Sequence, residues 1–317
     1  MSSVETVRGP LALEQLGPTL MHEHVFVLSP EMLVNAEPDW NEDAAVEQAA
    51  AELTALYETG VRTIVDPTVL GLGRDVRRVA RVAERVPLQI VVATGVYTYR
   101  DVPFYWRLRL PGADGRDPMT EFFVRDITEG IAGTGIKAAF LKCAIDADGM
   151  TPGVERVIRA VAAAHRETGV PITVHTDVHN QGGRLAQDLL RAEGVDLAKV
   201  VVGHSGDSTD LDYLRGLMDA GSLIGMDRFG IDVLQPFEQR VATVAALCEQ
   251  GYAERMVLAH DAACLIDWFS PERRRQRSPH WHFTHIHDDV LPALRSAGVT
   301  DQQIETMLVG NPQRYFS

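Results

Sequence analysis

Residues 138–176 read AAFLKCAIDADGMTPGVERVIRAVAAAHRETGVPITVHT and predict a strand, a helix and a second strand in direct succession. The two strands are the apolar runs at 138–144 and 171–176. Between them, Thr151 is a helix cap followed by a proline in the first turn, apolar residues then recur every three or four positions, and Gly169 ends the helix. The segment is therefore typical of one unit of an α/β fold.

The same unit recurs along the whole chain. Eight strand-like runs alternate with helical patterns, and they cover residues 19–25, 62–67, 88–96, 138–144, 171–176, 199–205, 222–228 and 255–261. Repeated strand–helix units require parallel strands with right-handed crossovers, and eight of them close into a barrel. The sequence therefore predicts an α/β fold of the (β/α)8 TIM-barrel type, with an open, doubly wound sheet as the alternative.

Two long connections interrupt this rhythm. Residues 97–119 are rich in proline, glycine and aromatic residues, which is typical of a functional or interface loop, and residues 262–284 follow the last strand. Near the end of the chain, Thr300 and Gln303 form a predicted capping box. Because no linker or repeat divides the sequence, we expect a single domain over 1–317.

The composition argues against several classes of partner. Thirty Lys and Arg residues against 44 Asp and Glu give a net charge of −14, which repels nucleic-acid backbones and anionic lipids. We therefore expect no nucleic-acid partner and no membrane association. The N-terminal residues lack the pattern of an export signal, so we expect a cytoplasmic protein. Three widely spaced cysteines suggest neither disulfides nor a cysteine-based zinc site.

The predicted strand ends carry side chains that can bind metal. In a barrel of this type, the reacting groups stand at the C-terminal ends of the strands. The first strand ends in His22-Glu23-His24, and alternation along a strand turns both imidazoles to one face and Glu23 to the other. The full set of candidate ligands is His22, His24, Lys142, His175, His204 and Asp261.

Six ligands are too many for one tetrahedral zinc ion and suit two ions about 3.5–4 Å apart. Lys142 cannot bind a cation as an ammonium group, because the ammonium carries a positive charge and no lone pair. We therefore expect the neutral amine to react with carbon dioxide, giving a carbamate whose two oxygens bridge the ions. Imidazole and carboxylate ligands accept zinc, cobalt, manganese or iron, of which zinc is our first expectation.

These residues occur in a series of short motifs. In chain order they are His22-Glu-His24, Lys142 in LKCA, His175 in VHT, His204 in GHSGD and Asp261 in AHD. The series resembles the phosphotriesterase family of the amidohydrolase superfamily, and the resemblance runs from Gly17 to residues 310–316. It implies a homodimer with two metal ions in each site. His22, His24 and Asp261 would hold the buried ion, His175 and His204 the exposed ion, and carboxylated Lys142 and a hydroxide would bridge them.

Within that family the chain looks like the phosphotriesterase-like lactonases. Tyr97 and Arg228 stand where organophosphate specialists carry Trp and His, and Trp268 matches the loop that lines the lactonase acyl-chain channel. The implied substrate-binding set is Tyr97, Arg228, Leu72, Ile231 and Trp268, although the last three could be simple loop core. The implied substrates are N-acyl-homoserine lactones, as in quorum quenching, with weaker hydrolysis of organophosphate triesters. Primary phosphotriester hydrolysis and hydrolysis of other γ- or δ-lactones are the alternatives.

We expect three of these residues to be catalytic. The hydroxide would attack the lactone carbonyl, Tyr97 would donate a hydrogen bond to the carbonyl oxygen, and Asp261 would carry the proton to the leaving alkoxide. Arg228 would orient that alkoxide. The alternatives are a rim aromatic for Tyr97 and a simple ion pair with Asp227 or Asp232 for Arg228. A non-catalytic binding barrel and a mononuclear deaminase are the competing functional classes.

Three further clusters need an interpretation. His280, His282, His285 and His287 predict an exposed start of a helix rather than a metal site. Arg273, Arg274, Arg275 and Arg277 predict a solvated loop face, with recognition of an anionic ligand as the alternative. Phe104, Tyr105 and Trp106 could contribute to a dimer interface or pack internally.

Overall fold

The computed structural model describes residues 2–36, 40–113 and 115–317. The strands in chain order are β1 (Ser3–Thr6), β2 (Gly9–Ala12), β3 (Thr19–Leu20), β4 (His24–Val27), β5 (Thr63–Asp66), β6 (Gln89–Gly95), β7 (Phe140–Ile145), β8 (Ile172–Thr176), β9 (Val200–Gly203), β10 (Leu223–Met226), β11 (Met256–Leu258) and β12 (Ala263–Ile266). Eight of them pair in parallel in the order β3-β5-β6-β7-β8-β9-β10-β11. The predicted (β/α)8 barrel is confirmed, and the open-sheet alternative is wrong.

The helices in chain order are α1 (Pro30–Asn35), α2 (Glu42–Glu58), α3 (Val76–Ala83), α4 (Phe104–Arg107), α5 (Pro118–Thr128), α6 (Pro152–Thr168), α7 (Gly182–Ala192), α8 (Leu211–Asp219), α9 (Phe237–Glu249), α10 (Pro271–Arg277), α11 (Leu291–Ser296), α12 (Asp301–Glu305) and α13 (Asn311–Phe316). Helices α1–α9 connect the barrel strands, and α10–α13 follow the last barrel strand, β11. Short 3-10 or π turns occur at Leu13–Gln15, Ile131–Gly133, Leu197–Lys199, Ser205–Asp207, Tyr252–Arg255, Ile286–Val290 and Thr306–Gly310. In the part of the chain described, no helix is both long and apolar enough to cross a bilayer.

The predicted helix caps are observed. The Thr151 hydroxyl accepts a hydrogen bond from the Val154 N–H at 3.3 Å, and Gly169, which follows α6, has the left-handed φ of +76°. Thr300 and Gln303 form the reciprocal capping box at the start of α12. These local signals were readable because a cap involves residues only three positions apart.

The first predicted strand is divided in two, which the sequence did not indicate. β3 belongs to the barrel, whereas β4 pairs in parallel with β12, beyond the end of the barrel strands. The N–H of Met21 still reaches the Leu258 carbonyl at 3.2 Å, which brings the first and last barrel strands together. The N–H of His24 instead reaches the carbonyl of Ala262 at 2.7 Å. The chain thus changes partner between these two residues.

Alternation along the strands produces two apolar layers. Ile64 of β5 packs outward against the helices, and its neighbour Val65 points into the barrel. The barrel interior also contains Phe140 and Val257, and the C-terminal Tyr315 enters it from below. The Tyr315 and Thr173 hydroxyls share a hydrogen bond of 2.9 Å in this interior. The bottom of the barrel is therefore filled, and the open mouth lies at the C-terminal ends of the strands.

Several elements differ from their predicted positions. The connection 97–119 contains α4 and the start of α5, and the connection 262–284 contains β12 and α10. The four arginines of the basic run lie on α10, so the segment is a helix and not the predicted loop, although Arg273, Arg275 and Arg277 are exposed to solvent as predicted. Lys142 is the third residue of β7 rather than its end. Pairing between residues far apart in the chain decides where these elements lie, and the local pattern of strands and helices in the sequence does not show that pairing.

Gly95 allows β6 to approach Lys142 closely. It ends β6 with φ +146°, and a Cβ built on it would lie 1.9 Å from the Lys142 carbonyl oxygen. Gly251 also has a positive φ, +89°, but an added Cβ would meet nothing within 4 Å. Alanine at Gly251 would thus cause backbone strain alone, whereas alanine at Gly95 would cause both backbone strain and steric overlap.

We predict that Gly95→Ala lowers the free energy of unfolding at least twice as much as Gly251→Ala. Gly251→Ala should cost about 1 kcal/mol, the usual penalty for alanine in a backbone conformation that favours glycine. Denaturant unfolding of both variants and the parent protein measures the difference. Equal losses would show that β6 and β7 can separate freely at Gly95.

Candidate metal centre

The six predicted ligands surround the base of one cavity at the mouth of the barrel. The cavity has a volume of about 550 Å³, and its base includes His22, His24, Lys142, His175 and Asp261. His204 lies directly behind His175, with its Nε2 2.8 Å from the Nδ1 of His175. The structure therefore brings together all six side chains that the sequence singled out, although their role as metal ligands stays a prediction.

One group of donors is centred on Asp261. Its Oδ1 lies 3.4 Å from the Nε2 of His22 and 3.3 Å from the Nε2 of His24. The Nζ of Lys142 is 3.2 Å from the same His22 nitrogen. His22, His24 and Asp261 lie close enough together to share one ion.

The backbone is unusual at two of the predicted ligands. His204 follows β9 with φ +61°, and Asp261 follows β11 with φ +55°. Non-glycine residues rarely adopt this left-handed region, and such strain clusters at functional sites. At both positions the chain turns sharply as it leaves the strand, which directs the side chain back over the barrel mouth.

Asp227 supports two of the histidines and was not in the predicted site. Its Oδ2 accepts a hydrogen bond from Nδ1 of His22, and its Oδ1 accepts from the backbone N–H and Nδ1 of His204, at 2.8–3.0 Å. The carboxylate is 1% exposed. Each imidazole is thereby oriented with Nε2 toward the cavity. The sequence offers one signal, a carboxylate near the end of the predicted strand 222–228, but it suggests Asp227 only as a partner for Arg228.

His24 is oriented in the same way by a different pair. Its Nδ1 lies 2.6 Å from the hydroxyl of Thr68, and that hydroxyl and the Thr68 N–H both donate to Asp66, the last residue of β5. Groups that hold the second nitrogen of a metal-bound histidine fix its tautomer and orientation. The three imidazoles of His22, His24 and His204 are thus positioned for binding through Nε2.

Glu23, the central residue of the His-Glu-His motif, is buried on the opposite side and holds the Asp261 turn. Its Oε1 accepts from the backbone N–H and the Nδ1 of His260 at 2.7 and 2.6 Å, and its Oε2 accepts from the Ala262 N–H at 3.1 Å. The Nε2 of His260 in turn accepts from the Ile286 N–H at 2.9 Å. Glu23 therefore fixes the residues on both sides of Asp261.

Burial and neighbouring carboxylates set the ionisation of the cavity base. Burial lowers the pKa of His22 and His204, and it lowers that of His175 to about 4, so these imidazoles are neutral near pH 7. At His24 the hydrogen bonds and charges of Asp261 and Asp66 outweigh burial and raise the pKa to about 9, so a cation bound there would have to displace a proton. Burial also lowers the pKa of Lys142 to about 8. Burial alone would raise the pKa of Asp261, but the surrounding histidines and Arg228 outweigh it and keep this group a carboxylate.

The donor set fits divalent cations. Neutral imidazole nitrogens and an ionised carboxylate are ordinary ligands of zinc and similar metals. His175 lies beside these donors, with its Nδ1 2.8 Å from the Nε2 of His204 and its Nε2 hydrogen-bonded to Asp146. The donor atoms of His22, His24 and Asp261 converge on one small space where a cation could bind.

Comparison with known proteins agrees with this geometry. The model of the phosphotriesterase family matches residues 2–316. The chain belongs to the phosphotriesterase family. A phosphotriesterase homology protein from Mycobacterium tuberculosis is 55% identical over all of this chain and 98% of its own length. An aryldialkylphosphatase from Saccharolobus solfataricus is 40% identical, with 96% of each chain covered.

Solved structures give the same result. The phosphotriesterase from Mycobacterium tuberculosis superposes with a TM-score of 0.97 at 54% identity, covering 99% of this chain and 98% of that one. A mutant organophosphorus hydrolase from Deinococcus radiodurans gives a TM-score of 0.91 at 37% identity, covering 99% and 97%. The predicted family is confirmed, and the chain is a phosphotriesterase-family hydrolase. The family is metal-dependent, in agreement with the histidine and aspartate groups at the cavity base.

Tyr97 and Arg228 both line the cavity of this phosphotriesterase-family chain. The Tyr97 hydroxyl shares a 2.7 Å hydrogen bond with Tyr99, and its ring stands edge-on to His175. The guanidinium of Arg228 donates from Nε to Asp261 Oδ2 at 3.0 Å and from Nη1 to Asp207 at 2.8 Å. An ion pair of Arg228 with Asp227 or Asp232 is therefore wrong, because Asp227 is used by the histidines.

The second histidine group, residues 280–287, lies outside the set of predicted ligands. His280 pairs with Asp232 at 3.0 Å, and His285 is 2% exposed and pairs with Asp289 at 2.7 Å. The expectation of an exposed helix start is therefore wrong for His285, which packs against Phe237 of α9. Burial of this segment comes from a neighbouring helix that the local sequence does not reveal.

We predict that Asp227→Asn weakens metal binding by about 10- to 100-fold, the usual effect of losing a group that orients metal ligands. An amide has one oxygen and cannot accept from both His22 and His204. Competition with a coloured chelator measures the affinity. Asp289→Asn, which alters another aspartate–histidine pair away from the cavity, is the matched control and should bind metal normally. Unchanged affinity in Asp227→Asn would contradict the assigned role.

The lowered pKa of Lys142 predicts a pH dependence of stability in the metal-free protein. The folded chain releases this proton near pH 8 and the unfolded chain near the ordinary value of 10.5. Between these values the unfolded state binds more protons, so the free energy of unfolding rises with pH, by up to about 3 kcal/mol for this group. Below pH 8 both states are protonated, and the contribution is constant.

The comparison with Lys142→Met isolates that effect, because the other titrating groups remain. Denaturant unfolding of both proteins in chelator across pH 7–11 should show the stability of the parent rising relative to the variant between about pH 8 and 10.5. A difference that stays constant over this interval would show that Lys142 titrates normally.

Proposed function

We propose that this protein is a metal-dependent hydrolase that opens lactone rings, with N-acyl-homoserine lactones as the main substrates and organophosphate triesters as weaker ones. The observation that carries the proposal is the cavity itself. Its base holds the converging donor atoms, Tyr97 and Arg228 stand beside them, and its upper walls are apolar. A polar reacting ring attached to an apolar chain is complementary to this arrangement.

Two divalent ions would occupy the base, zinc being our first choice and cobalt, manganese or iron the others. His22, His24 and Asp261 would hold one, His175 and His204 the other, and carboxylated Lys142 would bridge them. The lowered pKa of Lys142 supports the carbamate, because the neutral amine is the form that reacts with carbon dioxide. When bound, the ions would activate a water and polarise a carbonyl group.

Three side chains would act on the substrate. The Tyr97 hydroxyl can donate to the carbonyl oxygen as negative charge develops there. Asp261 is ionised and can accept a proton from the attacking water and deliver it to the leaving alkoxide. Arg228 already contacts Asp261, so its guanidinium can orient the leaving oxygen beside the group that protonates it.

The apolar walls would bind the acyl chain. Leu72, Ile231 and Trp268 line the cavity, and Trp268 is 48% exposed at its entrance. Each methylene buried there would contribute about 0.8 kcal/mol to binding. The lactone ring would thus bind at the base of the cavity and the acyl chain on its apolar walls.

Primary phosphotriester hydrolysis is the second candidate. It is favoured by relatives named aryldialkylphosphatase and organophosphorus hydrolase. A substrate with a tetrahedral phosphorus centre could bind at the same floor of the cavity. Hydrolysis of other γ- or δ-lactones would require only different side chains on the apolar walls of the cavity.

We also propose that the chain forms a homodimer. Phe104, Tyr105, Leu108 and Leu110 are 58–74% exposed on the connection that contains α4, and they are the apolar surface that a second copy would cover. Trp106 packs inward against Phe122 and is not part of this surface.

We predict a higher kcat/KM for an N-acyl-homoserine lactone than for a phosphotriester on the same metal-loaded sample, and loss of both activities on treatment with a chelator. Asp261→Asn should reduce kcat for the lactone by at least 100-fold, within the range expected for loss of a proton-transferring group. Metal content is measured on every sample, because this residue is also a proposed ligand.

Asp232→Asn is the control, since this carboxylate pairs with His280 outside the cavity base. Higher efficiency on the triester would reverse the order of the two candidate functions. Full lactone turnover by metal-loaded Asp261→Asn would remove Asp261 as the proton carrier. Activity that survives complete metal removal would refute a metal-dependent reaction.

A further inference from the structure

Helix α10 turns three arginines toward the cavity. Arg273, Arg274 and Arg277 all line it, because Arg277 lies four positions after Arg273 and three after Arg274, which puts it next to both on one side of the helix. Glu272 and Arg275 pair with each other at 3.3 Å, and neither lines the cavity. The basic run therefore divides into a cavity-facing group and an outward-facing ion pair.

Arg274 anchors this helix to the barrel. Its guanidinium donates to the carbonyls of Ala263 and Trp281, at 2.7 and 3.1 Å, and lies 4.6 Å over the centre of the Trp281 ring. Half-buried and held on three sides, it fixes the orientation of α10. Its hydrogen-bonding capacity is largely used by these contacts.

Arg273 and Arg277 differ from Arg274 because their guanidinium groups are available. Both are exposed, and neither makes an ion pair with any residue that the structure describes. The other exposed arginines that the structure describes either pair with a carboxylate or direct their guanidinium group at a carbonyl oxygen or an aromatic ring. Two unpaired arginines on one face of one cavity are therefore unusual for this surface.

The rest of the cavity explains why the arginines matter. Between its base and α10, the walls are formed by Leu72, Ile231, Ile266, Trp268 and Phe269. Among the described lining residues, Asp261 is the single carboxylate, and it already contacts Arg228 at the base. The outer part of the cavity thus has an apolar wall and a positive face without a compensating negative charge.

A neutral acyl chain would make no use of this positive face. We propose that Arg273 and Arg277 bind a carboxylate at the far end of the substrate's apolar chain, so that among the N-acyl-homoserine lactones those whose acyl chain ends in a carboxylate are preferred. This proposal rests on the proposed lactonase function. The ring would lie at the metal-binding base, the chain against the apolar wall and the carboxylate at α10. Planar guanidinium groups match the geometry of a carboxylate and bind it with paired hydrogen bonds.

The experiment compares two lactones with side chains of equal length, one ending in a methyl group and the other in a carboxylate. Each is assayed with the parent protein, the double variant Arg273→Gln/Arg277→Gln, and Arg275→Gln. Arg275 is the matched control, because it lies on the same helix and carries the same charge but faces away from the cavity. Metal content and unfolding midpoint are recorded for every protein.

The double variant should lower kcat/KM for the carboxylate-terminated lactone by about fivefold through a higher KM, as expected for the loss of two exposed ion pairs. Turnover of the methyl-terminated lactone should not change, and Arg275→Gln should resemble the parent with both substrates. Raising the salt concentration from about 0.05 to 0.5 M should reduce the parent protein's preference for the carboxylate, because exposed charge pairs are screened.

The proposal is overturned if the double variant affects both lactones equally or neither, or if Arg275→Gln has the same effect. Absence of turnover with both lactones would instead refute the proposed lactonase function. In that event, calorimetric binding of the same two compounds to the parent and the double variant tests the arginine face by itself. Equal dissociation constants for the two compounds would then overturn it.

Discussion

The site depends on the convergence of buried donor atoms at the mouth of the barrel. Eight parallel strands direct their C-terminal ends to one place, and the nitrogen atoms of His22 and His24 therefore come within 3.4 Å of the Asp261 carboxylate. Such an arrangement buries charge and lone pairs that would otherwise be solvated, at a cost of several kcal/mol. The supporting contacts of Asp227 and Glu23 keep the donors in place against that cost.

The architecture could be predicted from the sequence because its signals are local. Caps such as Thr151, and the alternation of strand and helix patterns, involve residues close together in the chain. The six candidate ligands could be chosen because a barrel fixes where strand ends lie. The supporting residues could not, since Asp227 reaches His22 across 205 positions and Glu23 reaches His260 across 237. Contacts over such separations leave no periodic pattern in a single sequence.

The errors have the same origin. The first strand divides because β4 pairs with β12 rather than with a barrel strand. β12 lies in the connection 262–284, where the sequence predicts a loop. Arg274 is half-buried, unlike the other arginines of α10, because it contacts Trp281 in the folded chain. The sequence suggests Asp227 as a partner of Arg228 because the two residues are adjacent. In the structure, Asp227 instead accepts from His22 and His204, and Arg228 donates to Asp261 and Asp207.

The hydrogen bonds of Glu23 limit which substitutions can change the substrate range without disturbing the site. Through His260, Glu23 joins the first histidine motif to the backbone at Ile286, just beyond the 262–284 connection, and through Ala262 it holds the turn that carries Asp261. Substitutions on the exposed face of α10 would alter the cavity entrance without touching these contacts. Changes near Trp281, whose indole donates to the His260 carbonyl, would disturb the residue next to Asp261. Substitutions intended to change the substrate range should therefore be better tolerated on the exposed face of α10 than around Trp281.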